Sequence, residues 1–217
     1  MRFEKPALSG KFLSLDPHDL GQAGMYKLLI GGVLPRPIAW VSTIDPNGCA
    51  NLAPFSFFNA VSSHPPCLSI SIARKPDGSK KDTLLNIEAT RQFVVNLAPS
   101  WLADAMNQTS AEYPLGVSEF EKAGLTPAPS SRVRAPRIAE SPLSFECELY
   151  ETLEIGDGSL GSATLIIGKI VNIQVDASAI QDEKLVFEKL DPLSRLGGLH
   201  YGLTRERFEL PRPKALS

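Results

Sequence analysis

Residues 36–59, RPIAWVSTIDPNGCANLAPFSFFN, constrain this chain more than any other stretch. Residues 38–44 are β-rich and alternate imperfectly. Asp45-Pro46-Asn47-Gly48 then supplies the residue types of a tight turn. The chain returns through Asn51-Leu52-Ala53-Pro54 into Phe55-Ser56-Phe57-Phe58, so the whole reads as a hairpin. Its second arm holds Pro54, and proline, lacking a ladder donor, is confined to edges and bulges. A strand broken there leaves main-chain N–H groups facing something other than a neighbouring strand. Three phenylalanines put aromatic faces beside those amides, surroundings that suit a flat ring with polar edges.

The chain has 217 residues and a formal net charge of −2, with acids and bases mixed along it. That fits one domain and lacks the basic stripe of a nucleic-acid binder. The opening residues, MRFEKPALSGKF, contain no apolar run of the secretory type. No segment approaches the roughly 20 apolar residues that cross a bilayer. Cys49, Cys67 and Cys147 are odd in number, far apart and form no CxxC pair. They read as small buried thiols in strands. The expectation is a soluble cytoplasmic protein.

Residues 1–24 read as a mixed lead-in, with Gly21, Gly24, Gly31 and Gly32 breaking any regular pattern there. Strands are expected at 33–44, 49–61, 67–73, 92–97, 143–155 and 163–176. In 67–73, CLSISIA, Leu68, Ile70 and Ile72 share one face, while Ser69, Ser71 and Ala73 make an unusually small opposite face. Helices are expected at 83–90, with Leu84, Leu85 and Ile87 on its apolar side and Asp82 or a neighbour as cap, at 100–106 after Pro99, and near 118–123. Trp40 and Trp101 read as packing residues. Strands joined by short turns, with few helices, point to an antiparallel barrel. A doubly wound sheet would need βα alternation, and no GxGxxG follows a strand.

The segment 74–83, RKPDGSKKDT, is the best anion candidate. It follows a strand and runs into a helix start, where unpaired N–H groups favour phosphate. Arg74 and Lys81 supply charge, Thr83 a hydroxyl and Asp82 the cap. The same pattern also describes a solvated basic loop before a capped helix. Ser42 and Thr43, at a strand end, either meet a ligand's polar edge or satisfy a turn. His64 and His200 have no carboxylate at meaningful spacing, so neither a triad nor a metal site is expected. GxSxG is absent.

Taken in order, RPIAWVST (36–43), NLAPFSFFNAVSSHPP (51–66), KKDTLLNI (80–87) and RLGGLHYG (195–202) resemble the flavin reductase-like family of FMN-binding split β-barrels. SEFEKAGLTPAPS (118–130) and PRIAESPLSFECEL (136–149) extend the resemblance, which covers roughly residues 28–202. It implies a mainly β fold, a six-stranded antiparallel Greek-key split barrel with added helices, as one domain over 1–217. It implies a homodimer with one FMN in each of two interface clefts. By the same resemblance, Arg36, Ser42 and Thr43 lie along the cofactor. Ala53, Pro54, Phe55, Ser56 and Phe57 contact the ring and ribityl chain, and Asn59 supports that wall. Arg74, Lys81, Asp82 and Thr83 surround the phosphate. Asn107, Thr109 and Ser110 come from the neighbouring subunit, and His200 approaches the ring's open face. The implied function is an FMN-dependent oxidoreductase, an NAD(P)H:flavin reductase or close relative passing hydride to flavin N5, with no acid–base side chain required. The alternative is an FMN-binding electron carrier or store that serves a redox partner protein. A pyridoxamine-phosphate-oxidase-like enzyme on the same barrel would need a second phosphate cluster, and none stands out.

Overall fold

The computed structural model describes residues 4–114 and 117–213. Seven strands form one antiparallel sheet: β1 (Ala39–Ile44), β2 (Ala50–Phe55), β3 (Phe58–Ser63), β4 (Pro66–Ala73), β5 (Gln92–Leu97), β6 (Leu143–Ile155) and β7 (Ala163–Val175). Their order is β2-β1-β5-β6-β7-β4-β3. Only Ser56 and Phe57 separate β2 from β3 in the chain, yet these two strands are the sheet's opposite edges. The sheet has therefore curled until its edges face one another across a seam. The Ser71 N–H donates to the Phe57 carbonyl at 2.8 Å beside that seam. This is an antiparallel split barrel, as expected, with one correction. The returning arm, expected as a single strand over 49–61, is two strands on opposite lips, which raises six strands to seven.

The barrel is filled by period-two patterning. Val41, Ile70, Ile72, Phe93, Val95, Cys147 and Ile166 are buried together with Leu84 and Ile87 of helix α2 (Asp82–Thr90), which packs against that core. Burial of one such aliphatic side chain is worth about 1.5–3 kcal/mol. Leu84 and Ile87, three residues apart, share a helical face. Leu85 turns away and is 46% exposed, contrary to its expected place on that face. Gly168 in β7 lies at a register shift, where a Cβ would come within 2.3 Å of Phe93 Cζ. Outside the barrel, Trp40, Leu52, Met106, Phe120 and Ile138 form a second core beneath α3 (Ala103–Gln108) and α4 (Glu119–Lys122). The Trp40 indole N–H donates to Thr109 Oγ1 at 2.9 Å. Trp101 is instead 54% exposed, so its expected packing role does not hold.

The N-terminal reading also needs correction. Residues expected as a mixed lead-in form helix α1 (Pro17–Gly32). Asp16 caps it by accepting from His18 N–H at 2.8 Å, and Pro17 fits the first turn, where its missing N–H costs nothing. Gly21, at φ 61°, kinks it. The glycines lower helix propensity and hide the segment; no α1 residue is buried. A three-stranded ribbon of Arg36–Pro37, Leu193–Arg195 and Tyr201–Leu203 lies beyond its end. Among the described residues, no helix is long and apolar enough to cross a membrane, and no group of three or more His, Cys, Asp or Glu is placed to hold a metal ion.

Candidate functional site

The seam opens into a cleft of about 740 Å³, within the size range of small-molecule and cofactor sites. One wall is Asn51 and Ala53 to Phe57. Ser71 and Ala73 of β4 also line it, so the small face of CLSISIA serves to leave room. The start of α2 closes one end with Lys81, Asp82 and Thr83. Gln22, Met25, Tyr26 and Leu29 of α1 form a further wall.

The β2 edge explains Pro54. Leu52 N–H donates away from β1, to Glu119 Oε2 at 3.0 Å. In an antiparallel strand alternate residues turn their main-chain groups the same way. Leu52, Pro54 and Ser56 thus face the seam, while Ala53 and Phe55 face β1. Glu119 occupies the first seam-side donor and proline removes the second. The Ser56 and Phe57 amides carry no hydrogen bond among the described residues. They are the main-chain donors left for a ligand. Glu119 itself is buried, and this burial pushes its carboxyl up from the usual range; the Leu52 N–H and its own amide oppose that, and Asp82 adds to it. Sequence reasoning missed Glu119, because the strand it serves lies 67 residues away and no local spacing signals that contact.

The opposite end is cationic. Arg74 is buried, and its Nη2 donates to Glu154 Oε2 at 2.5 Å. Its Nε is buried with no hydrogen-bond partner among the described residues. Lys75 is paired with Asp82 at 3.0 Å, and Lys80 with Glu88 at 2.6 Å. Lys81 makes no ion pair among the described residues. It is the N-cap of α2, in place of the expected Asp82, and its side chain bonds no helix amide. Leu84 N–H donates to the Lys81 carbonyl at 2.9 Å, so the Asp82 and Thr83 N–H groups, which carry no hydrogen bond among the described residues, are left for an anion. The Thr83 hydroxyl accepts from Asn51 Nδ2 at 3.0 Å, fastening β2 to α2.

The structure brings Ala53, Pro54, Phe55, Ser56, Phe57, Arg74, Lys81, Asp82, Thr83, Thr109 and Ser110 to one cleft. Thr109 and Ser110 reach it within their own chain. Six other expected residues do not line it, and each has a reason. Arg36 is a buried clamp behind the wall: Nη1 donates to the Ile30 and Val33 carbonyls at 2.7 and 2.8 Å, and Nη2 to that of Leu196 at 3.0 Å. Its Nε reaches Ser56 Oγ at 3.4 Å, and its guanidinium lies 5.9 Å from the Phe57 ring. Desolvation, then the charge of Arg195, lowers its pKa, with Tyr26 opposing. Ser42 donates to the Pro136 carbonyl at 2.5 Å and accepts from Asn96, while Thr43 accepts from Asn86 at 3.0 Å. Both hydroxyls are interior because both faces of β1 are covered. Asn59 is exposed on β3, accepting from Ala60 N–H at 2.8 Å. Asn107 is exposed and accepts from the Tyr201 hydroxyl at 3.4 Å. His200 is exposed in a turn, its Nδ1 3.1 Å from the Gly197 carbonyl.

Comparison with known proteins fits this geometry. An uncharacterized protein of Aquifex aeolicus is 45% identical over 178 residues, covering 82% of this chain and 88% of that protein. The crystal structure of nitrilotriacetate monooxygenase component B from Bacillus cereus superposes with a TM-score of 0.89 at 36% identity, covering 93% of this chain and all of that one. The 2-nitrobenzoate 2-nitroreductase NbaA of Pseudomonas fluorescens gives a TM-score of 0.84 at 31% identity, covering 94% and 98%. The model of the flavin reductase like domain matches residues 31–193, and the chain belongs to that family.

Proposed function

We propose that the cleft holds FMN and that the protein is an FMN-dependent oxidoreductase drawing electrons from a reduced nicotinamide. The observation that carries this reading is the buried, unpartnered Arg74 Nε in a cleft wall beside an uncapped helix start. A buried donor without a partner is costly unless a ligand satisfies it, and a phosphate oxygen suits it. Arg74 and Lys81 would hold the phosphate, with the first N–H groups of α2. A single cationic end serves the one terminal phosphate of FMN, which favours it over FAD.

The wall from Ala53 to Phe57 would hold the ring. Asn51 to Phe55 spans about 13 Å at ~3.3 Å per residue, so the two ends of the cleft are separated on the scale of a ribityl chain and ring. The flavin would supply two-electron redox chemistry when bound. The chain's own part is to bind, orient and shield. Ser56 and Phe57 N–H groups are fixed dipoles that favour negative charge at the ring edge. No acid–base side chain is needed for that task. The exposed apolar residues Leu199 and Leu203, together with the open seam, support a homodimer that closes the cleft.

The visible spectrum of the purified protein tests this. Flavin absorption, release of FMN rather than FAD on denaturation, and steady oxidation of NADH or NADPH are expected. A colourless protein that does not take up added FMN refutes the cofactor. A yellow protein that never turns over with either nucleotide refutes the enzyme and leaves an electron carrier.

A further inference from the structure

Arg36 is 4% exposed, and the groups that accept from it are three carbonyls and one hydroxyl, with no acid among them. The Ile30 and Val33 carbonyls belong to the end of α1, and the Leu196 carbonyl follows the ribbon strand Leu193–Arg195. Ser56 Oγ belongs to the dipeptide that joins β2 to β3. One guanidinium thus ties two outlying segments to the link between the barrel's lips. Arg195 is close enough to lower its pKa, and itself donates to the Gly198 and His200 carbonyls at 2.7 and 3.1 Å. Arg74, Lys75, Lys80, Arg205 and Arg207 each pair with a carboxylate, whereas among the described residues neither Arg36 nor Arg195 does.

Burying a charge without a counter-ion opposes folding. Carbonyl dipoles offset part of that cost but leave the net charge in place. The Arg36 guanidinium lies 5.9 Å from the centre of the Phe57 ring, and Phe57 lines the cleft. The charge therefore stands directly behind the Ser56 and Phe57 amides that are free for a ligand. Guanidinium and amides alike favour negative charge at this end of the cleft. Reduction of a bound flavin creates such a charge. A hydride, two electrons with one proton, passes from the reduced nicotinamide to the flavin ring; the ring gains one negative charge and the nicotinamide one positive.

We propose that Arg36 is a positioning residue that acts through the Ser56-Phe57 dipeptide: it holds the two free amides in place and, with Arg195, keeps a positive potential behind them, so that the cleft binds reduced FMN more tightly than oxidised FMN. This inference rests on the FMN reading above. A ring in contact with Phe57 would lie about 10 Å from the Arg36 charge, and at an effective dielectric of about 20 one unit charge at that range changes binding on the order of tenfold.

The test is the midpoint potential of bound FMN against that of free FMN, by anaerobic dye-coupled titration, beside the affinity for oxidised FMN from fluorescence quenching. The wild-type potential should lie above that of free FMN. Arg36→Gln should lower the reduced-over-oxidised affinity ratio about tenfold, which for a two-electron couple is a fall of about 30 mV. Arg36→Lys, which keeps the charge, should hold the ratio within about threefold of wild type. Arg195→Gln, on a half-buried residue outside the cleft lining, should lower the ratio about threefold, and it decides the matter where Arg36→Gln does not fold. A wild-type potential at or below that of free FMN overturns the proposal. So does an unchanged potential in folded Arg36→Gln or in Arg195→Gln, including the case where oxidised and reduced FMN weaken equally, which leaves Arg36 a purely structural tie. If wild type takes up no FMN, the cofactor reading itself has failed, a result distinct from the others.

Discussion

Replacing Lys81 with alanine isolates the phosphate grip from the fold. Lys81 is the N-cap of α2, but its side chain makes no capping bond and no ion pair among the described residues. Its loss should therefore move stability by less than about 0.5 kcal/mol, the usual range for a surface position. A charge-assisted hydrogen bond to phosphate is worth about 1.5–3 kcal/mol. Lys81 is only half-buried, so solvent screening places the loss at the lower end. At about 1.4 kcal/mol per factor of ten, FMN dissociation should rise about tenfold. Riboflavin, which lacks the phosphate, is the control. Fluorescence titration of both ligands should show FMN weakened and riboflavin unchanged. The wild-type preference for FMN should also shrink with added salt, less so in the variant. An equal loss for both ligands, or none for FMN, would refute the placement of the phosphate at α2.

Four further outcomes are expected. Arg74→Met should weaken FMN by at least as much as Lys81→Ala in the same titration, with little loss of fold, because the Glu154 it abandons is half-exposed and keeps Thr164 at 2.8 Å. Glu119 has a folded pKa raised above its unfolded value, so its contribution is complete below the unfolded pKa and fades as pH rises through the folded one. Glu119→Gln, which still accepts from Leu52, should therefore gain on wild type in urea melts as pH rises from about 4 to about 8. Glu146 behaves oppositely: burial raises its carboxyl, but donors from Ser131, Gln174, Asn172 and Arg132 outweigh this and hold it low. Its contribution persists above the unfolded pKa and is lost as pH falls through the folded one, and Glu146→Gln, setting an amide against Arg132 N–H, should cost about 1–3 kcal/mol near neutrality by chemical denaturation. Gly168→Ala should cost about 1–3 kcal/mol by overpacking against Phe93, and the added Phe93→Leu change should recover part of it in thermal melts.

Much of the barrel was legible because alternation is a local signal. CLSISIA reports its buried and its open face directly, and both lie where the pattern puts them. Pro54 marked an edge, though not that the chain changes lips two residues later. That crossing depends on how far the sheet curls, a property of all seven strands. Helix α1 was hidden because four glycines dilute its pattern and it buries nothing. Arg36, Ser42 and Thr43 were found as important residues but assigned to the ligand. Their partners, Ile30 and Leu196 for the arginine, Pro136 for the serine and Asn86 for the threonine, come from distant segments that no spacing reveals. Glu119 escaped for the same reason.

The dipeptide Ser56-Phe57 sets a mechanical limit on the aperture. From Phe55 to Phe58 the backbone takes three Cα steps, at most about 11 Å end to end, whereas laddered strands sit about 4.8 Å apart. At that point the lips are tethered too tightly to gape, and Pro54 denies them a full ladder by which to zip shut. Adding one residue to this hem would therefore retune the width available to a flat guest without removing any pocket-lining side chain.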